Sequence, residues 1–181
     1  MDDSTEGVTL YSGFLFDVLA PFEKNRETFA APLFAMAKDL DLDEPTALVP
    51  IARYNEMCTW IEENLGQASL RRVGAAIGDR AYDQMTADGA LGDNPTPAEI
   101  LGELKRVASL MIQDPKGRGW EILRSEPDNI LMRRTQSFNC YLQDGLLLSL
   151  VQRTGVSVPM VDQVTCVQRG DEFCEYRVRW M

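Results

Sequence analysis

The chain of 181 residues contains no histidine. That absence removes a histidine-ligated haem, the Ser–His and Cys–His catalytic pairs, and every zinc site built on imidazole. No phosphate-cradling G-x-x-x-x-G-K loop and no G-x-G-x-x-G turn occurs. Ordinary nucleotide-binding and hydrolase chemistries therefore have no residues to stand on. No apolar run approaches the roughly 20 residues of a membrane-spanning helix, so no membrane insertion is expected. Basic charge is scarce: 18 Lys and Arg stand against 28 Asp and Glu, a net charge of −10. A general nucleic-acid or anionic-membrane surface is not expected from that balance. The opening Met1-Asp2-Asp3-Ser4-Thr5-Glu6 is acidic and is not a secretory signal. A cytoplasmic protein with reduced thiols is the expectation. There is no internal repeat and no low-complexity segment.

What remains is a chain able to bury a core. Apolar residues make up 45% of it and charged residues 25%, the balance of a folded globular protein. Residues 1–7 read as a disordered acidic tail, and 8–181 as one α+β domain. Within it, 8–118 reads as helical and 119–181 as a ββ-α-ββ unit. Phe14, Leu15, Val18, Leu19 and Phe22 suggest a helix over 10–24, disturbed by Pro21. Phe29, Leu33, Phe34, Ala37 and Leu40 suggest another over 25–40. Further helices are predicted over 55–65, closed by Gly66, and over 69–85. In the latter, Gly74 and Gly78 would let another backbone approach closely. Thr96-Pro97-Ala98-Glu99 is a capping box with proline at the first helical position, and it starts a helix that stops near Pro115.

After Gly119 the period changes. Trp120–Arg124 and Ile130–Arg134 read as strands around a Pro127-Asp128-Asn129 turn. Cys140–Arg153 reads as a leucine-rich helix closed by Gly155. Its apolar coverage, with Leu146, Leu147 and Leu148 consecutive, fits a dimer interface or a fully covered helix. Val161–Val167 and Phe173–Trp180 form a hairpin about Arg169-Gly170-Asp171. Paired strands of this kind predict one antiparallel sheet with helices on one face.

The four cysteines are Cys58, Cys140, Cys166 and Cys174. Cys58 reads as a core thiol. If the hairpin centres on Gly170, Cys166 and Cys174 face each other, about 4.5–5.5 Å apart at Cα. They then share an inward face with Val164, Tyr176, Val178 and Trp180. Cys140, at a helix N-terminus that favours a thiolate, would join them. Three buried thiols and a three-sulfur metal site both fit that arrangement.

Three segments together carry a resemblance: Cys140-Tyr141-Leu142-Gln143-Asp144-Gly145, Val161-Asp162-Gln163-Val164-Thr165-Cys166 and Arg169-Gly170-Asp171-Glu172-Phe173-Cys174-Glu175-Tyr176. They resemble the vinyl-4-reductase domain, the effector-sensing part of phenol- and xylene-responsive activators. Trp120-Glu121 is similar to a pair in those sensors. The likeness covers about residues 100–181. The helical half resembles, loosely, the wider superfamily of haem nitric-oxide-binding domains and trafficking-particle subunits.

The resemblance implies Cys140, Cys166 and Cys174 as zinc ligands. Gln163, however, stands where the family has a ligating glutamate, and a bulge would be needed to turn it inward. It further implies a pocket for a small apolar molecule, lined by Trp120, Ile122, Phe138, Tyr141 and Tyr176. Taken singly, each of these side chains reads first as core. Haem is not expected. The implied function is a non-catalytic sensing or regulatory domain acting through a partner or as a homodimer. The alternative is a scaffold of the same fold that works by dimerisation and partner binding.

Overall fold

The computed structural model of the chain describes residues 4–181, so the start of the predicted acidic tail lies outside the described residues. The expected α+β class is what forms. The order is β1 (Thr9–Tyr11), α1 (Gly13–Leu19), α2 (Ala31–Ala35), β2 (Leu48–Pro50), α3 (Ile51–Leu65), α4 (Gln67–Ala87) and α5 (Pro97–Met111). There follow β3 (Ile112–Gln113), β4 (Trp120–Glu126), β5 (Asn129–Arg134), α6 (Cys140–Gln152), β6 (Met160–Thr165) and β7 (Cys174–Arg179).

Two expectations fail in the first fifty residues. The stretch 10–24 is not one helix: β1 precedes α1, and a 3-10 turn over Ala20–Asn25 replaces the last helical turns at Pro21. The stretch 25–40 is helical only over Ala31–Ala35. Pro32 sits in its first turn, where the missing N–H is harmless, and no interior of propagating length follows. The single sheet also becomes two. β1 lies between β2 and β3 in a small antiparallel sheet. Leu10 on β1 pairs with Val49 and Ile112, and all three are buried.

The ββ-α-ββ unit forms a four-stranded antiparallel sheet in the order β4-β5-β7-β6. Its inner face alternates as a half-buried sheet should. Ile130, Met132 and Arg134 of β5 and Cys174, Tyr176 and Val178 of β7 are buried. The outer face carries charge pairs, Arg133 with Glu175 at 2.8 Å and Arg179 with Asp162 at 2.5 Å.

Helix α6 is covered on two sides, with nine of its 13 residues buried. One side faces the sheet and the other crosses α4. The crossing is made by glycines, which let the backbones touch. A Cβ on Gly74 would sit 2.0 Å from the Leu142 carbonyl oxygen, and one on Gly145 would sit 2.0 Å from that of Arg71. Polar pairs edge this contact, Ser149 Oγ donating to Asp79 at 2.7 Å and Arg153 to Asp83 at 2.6 Å. The apolar breadth of α6 is thus accounted for within one chain.

Candidate functional site

The last hairpin departs from the predicted register in a way that builds the site. Thr165 pairs with Glu175 as a centre on Gly170 requires, but Gln163 pairs with Tyr176, one residue out. A bulge between Gln163 and Thr165 absorbs the slip. Val164, expected inward, is 41% exposed instead. Gln163 turns inward beside the sulfurs, the bulge its position demanded. A 3-10 turn over Val167–Arg169 and Gly170 at φ 92° carry the chain into β7. The Asp171 carboxylate accepts from the Cys166 backbone N–H at 2.7 Å and fixes that turn.

Cys140, Cys166 and Cys174 are all buried, and their sulfurs lie within 4.8 Å of one another. Cys140 Sγ is 3.5 Å from each of the other two. Cys140 opens α6, and Asn139 caps that helix by accepting from the Tyr141 N–H at 2.9 Å. Against the sulfurs lies a residue that the sequence reading passed over. Arg134 is 2% exposed, and its Nη2 sits 3.4 Å from Cys174 Sγ and 3.6 Å from Cys140 Sγ. Its position was legible from period two: Ile130, Met132 and Arg134 alternate on one face, and an arginine in that row is a charge in the core.

The electrostatics single out one sulfur. The Cys140 thiol is pulled down to about 4, most by the Cys174 thiol donating to it; burial opposes this, and the Arg134 guanidinium assists. The Cys174 thiol is pushed up, first by donating to Cys140 and then by burial. Burial, followed by its bond to Cys140, pushes Cys166 up too. One thiolate with two thiol donors is the stable arrangement. Several buried donors beside it lack an acceptor: Arg134 Nε and Nη1, Gln163 Nε2 and the Tyr176 hydroxyl. Such groups are uncommon in cores and mark places where something else binds.

The predicted pocket residues divide. Trp120 and Tyr176 meet edge to face at 5.7 Å. Phe138 belongs to a second group, edge to face with Tyr54 at 5.4 Å, and Tyr54 in turn meets Phe14. Ile122 packs half-buried against the core. Tyr141 points elsewhere, under the Arg71 guanidinium at 4.8 Å. Two surface grooves of about 500 and 470 Å³ lie along α4–α6–β6 and beside β3; none of the five residues lines either.

The segment between β5 and α6 is tied to α3. Asn55 donates to the Ser137 carbonyl at 2.7 Å, and Asn139 donates to Glu62 at 2.5 Å. The helical half therefore holds the residue before Cys140 directly.

No family profile matches the chain, and no curated protein is similar to it in sequence. Solved structures are similar in fold. An H-NOX protein from S. oneidensis in the Fe(II)NO ligation state has a TM-score of 0.67 at 12% identity, covering 93% of this chain and 98% of that one. The Fe(II) unliganded H-NOX protein from K. algicida has 0.61 at 8% identity, covering 95% and 97%. A structure described as probing haem distortion in the H-NOX family has 0.59 at 14% identity, covering 93% and 92%. The fold is the H-NOX fold along nearly the whole chain. The loose likeness to haem nitric-oxide-binding domains thus extends well beyond the helical half.

These neighbours correct the cofactor expectation. The sequence leaves zinc open and predicts no haem; the neighbours are described by iron ligation and haem distortion, which stands against the expected absence of haem, and zinc has no support. The residues of this chain do not fit a histidine-ligated haem, because there is no histidine to ligate it. An axial ligand would have to be a sulfur or a tyrosine oxygen.

Proposed function

We propose that the chain is a non-catalytic small-molecule-sensing domain whose ligand meets the inner face of the four-stranded sheet beneath α6. One observation carries this: on a fold shared with H-NOX proteins, a fully buried face leaves Arg134 Nε and Nη1, the Tyr176 hydroxyl and Gln163 Nε2 without acceptors. A core gains nothing from four such donors. A small ligand, apolar in body and carrying an acceptor such as a carbonyl or carboxylate, would satisfy them. Its body would lie against Trp120 and Ile122, and its polar end against Arg134 and Tyr176. The outcome of binding passes through the Ser137–Asn139 segment to α3 and so to a partner. Tyr141, stacked under Arg71, is left out of this ligand set.

Native mass spectrometry of gently purified protein tests the reading. The expected result is an added mass of a few hundred daltons at most, removed by organic extraction and weakened in Trp120→Ala. A bare chain mass, together with no thermal shift from aromatic and fatty carboxylates or carbonyls, would overturn it.

A further inference from the structure

β6 closes one side of the four-stranded sheet, and β7 is its only strand neighbour. Among the described residues no backbone hydrogen bond reaches β6 from its other side. The one side chain among them that bonds to its backbone is Arg169, which donates to the Gln163 carbonyl at 3.2 Å, at the bulge. The groove of about 500 Å³ along α4, α6 and β6 runs beside this open edge. It touches Pro159, Met160, Val161 and Asp162 in succession. Alternate side chains of a strand leave on opposite faces, so a groove lined by successive residues follows the edge itself. The facing wall is helical. From α6 it takes one stripe, Asp144, Leu148 and Gln152, and from α4 it takes Arg71 and Arg72. β4, the opposite edge of the sheet, is different. A bulge between Ile122 and Arg124 breaks its middle, a common way of closing an exposed edge to pairing. The bulge of β6 comes only after Gln163.

The charges of the groove do not balance one another. Asp144 pairs with Arg71 at 3.4 Å, and Arg71 also lies over the Tyr141 ring. Asp162 pairs with Arg179 at 2.5 Å. Arg72 is exposed, and no carboxylate among the described residues pairs with it. Leu148, half-buried where Leu146 and Leu147 are buried, gives the same groove an apolar seat.

We infer that the β6 edge and this groove form a docking site for an extended segment of a partner protein, one that carries an acidic residue among apolar ones. The segment joins the sheet as a fifth strand beside β6 and is held by main-chain hydrogen bonds. The stretch it pairs with, Met160 to Gln163, offers about 13 Å of strand before the bulge. Every second side chain of the segment faces the helical wall. An apolar side chain there meets Leu148, and an acidic one meets Arg72. A second copy of this chain is the poorer occupant, because its own β6 carries a single acid, Asp162, which Arg179 already holds. The site lies outside the buried face assigned to a small molecule, and its test requires no ligand there.

The experiment titrates the full chain into short fluorescent peptides in which valine or leucine alternates with glutamate, and reads anisotropy. Saturable binding is expected, and it should be lost when lysine replaces glutamate. Methylating every second peptide nitrogen removes the donors that face β6 in one of the two alternate sets, and that set should not bind. Hydrogen exchange of the bound protein should slow over residues 160–163 and stay unchanged over β4. Arg72→Glu, an exposed substitution that leaves the core as it is, should weaken binding by about tenfold or more. No saturable binding up to about 1 mM peptide would overturn the inference. So would binding that survives both methylated sets, or that Arg72→Glu leaves unchanged. Self-association of the chain alone, abolished by Arg72→Glu, would assign the edge to a second copy and overturn it equally.

Discussion

Gly145→Ala puts the geometry of the whole site under test through a single methyl group. Its Cβ would lie 2.0 Å from the Arg71 carbonyl oxygen and 2.9 Å from the Ala75 backbone nitrogen. Ordinary contact begins near 3.4 Å, so α4 and α6 must part by about 1.4 Å at this point. The obstructing atoms are backbone, and no rotamer change relieves them. Overpacking of a dense core costs about 1–3 kcal/mol, and a clash with rigid backbone belongs at the top of that range. A loss of about 3 kcal/mol corresponds to a fall in Tm of roughly 6–12 °C for a chain of this size. The displacement also moves α6 relative to β5 and β7, so the contact between Cys140 and Arg134 lengthens. The assay is urea unfolding with calorimetry, beside Gly102→Ala as a control. Gly102 lies within α5 with open space where its Cβ would go, and alanine there gains up to about 1 kcal/mol. A Gly145→Ala loss below about 1 kcal/mol would show that the helices are not in backbone contact, and the placement of Cys140 against Arg134 would lose its foundation.

Thr96→Ala removes the hydroxyl that accepts from the Glu99 N–H and half of a closed capping box; unfolding in urea should show a loss of about 1 kcal/mol. Tyr176→Phe deletes a buried hydroxyl that has no partner, so stability should change by less than about 1 kcal/mol while any retained small molecule is lost; a large loss of stability alone would deny the hydroxyl a ligand. Asp17 is pushed up to about 6 from 3.8, by burial first, with Arg80 opposing. A carboxyl raised in the folded state contributes most below its unfolded pKa, and that contribution is lost as pH rises from about 4 through 6. Asp17→Asn should therefore match the wild type near pH 4 and become the more stable protein by pH 7, read as a difference in Tm; a constant difference across that range would refute the assignment.

What the sequence made legible follows the strength of each local signal. The capping box at Thr96–Glu99 and the run of leucines from Leu142 to Val151 place the start of α5 and both ends of α6 within a residue, because cap chemistry and a buried apolar run are local facts, whereas α5 ends at Met111, short of the Pro115 stop. Residues 25–40 failed for the opposite reason. Phe29, Leu33 and Phe34 have helical spacing, yet Phe29 is 52% exposed, and packing sets the helix at five residues. The strands β1, β2 and β3 are too short to carry a period. Thr9–Tyr11 is defined by partners at 48–50 and 112–113, and no local pattern reports so distant a pairing.

The candidate site was half visible. Three sulfurs were placed together from hairpin symmetry, although the register was off by one beyond Thr165. Gln163 shows how a polar residue can disclose a bulge: a regular strand would have pointed it away from Cys166, and its proximity to Cys140 required the extra residue that the strand contains. Arg134 escaped because cysteine invites a search for metal rather than for charge. Yet the alternation Ile130, Met132, Arg134 had already placed a guanidinium on the face where Cys174 and Tyr176 point. The Cys174 thiol that donates to Cys140 does most to lower its pKa, and the Arg134 guanidinium, in contact with both sulfurs, assists. Arg134 Nη2 spends its contacts on two sulfurs, while Nε and Nη1 face no acceptor. Through Asn55 and Asn139, the segment that leads into Cys140 is packed directly on α3.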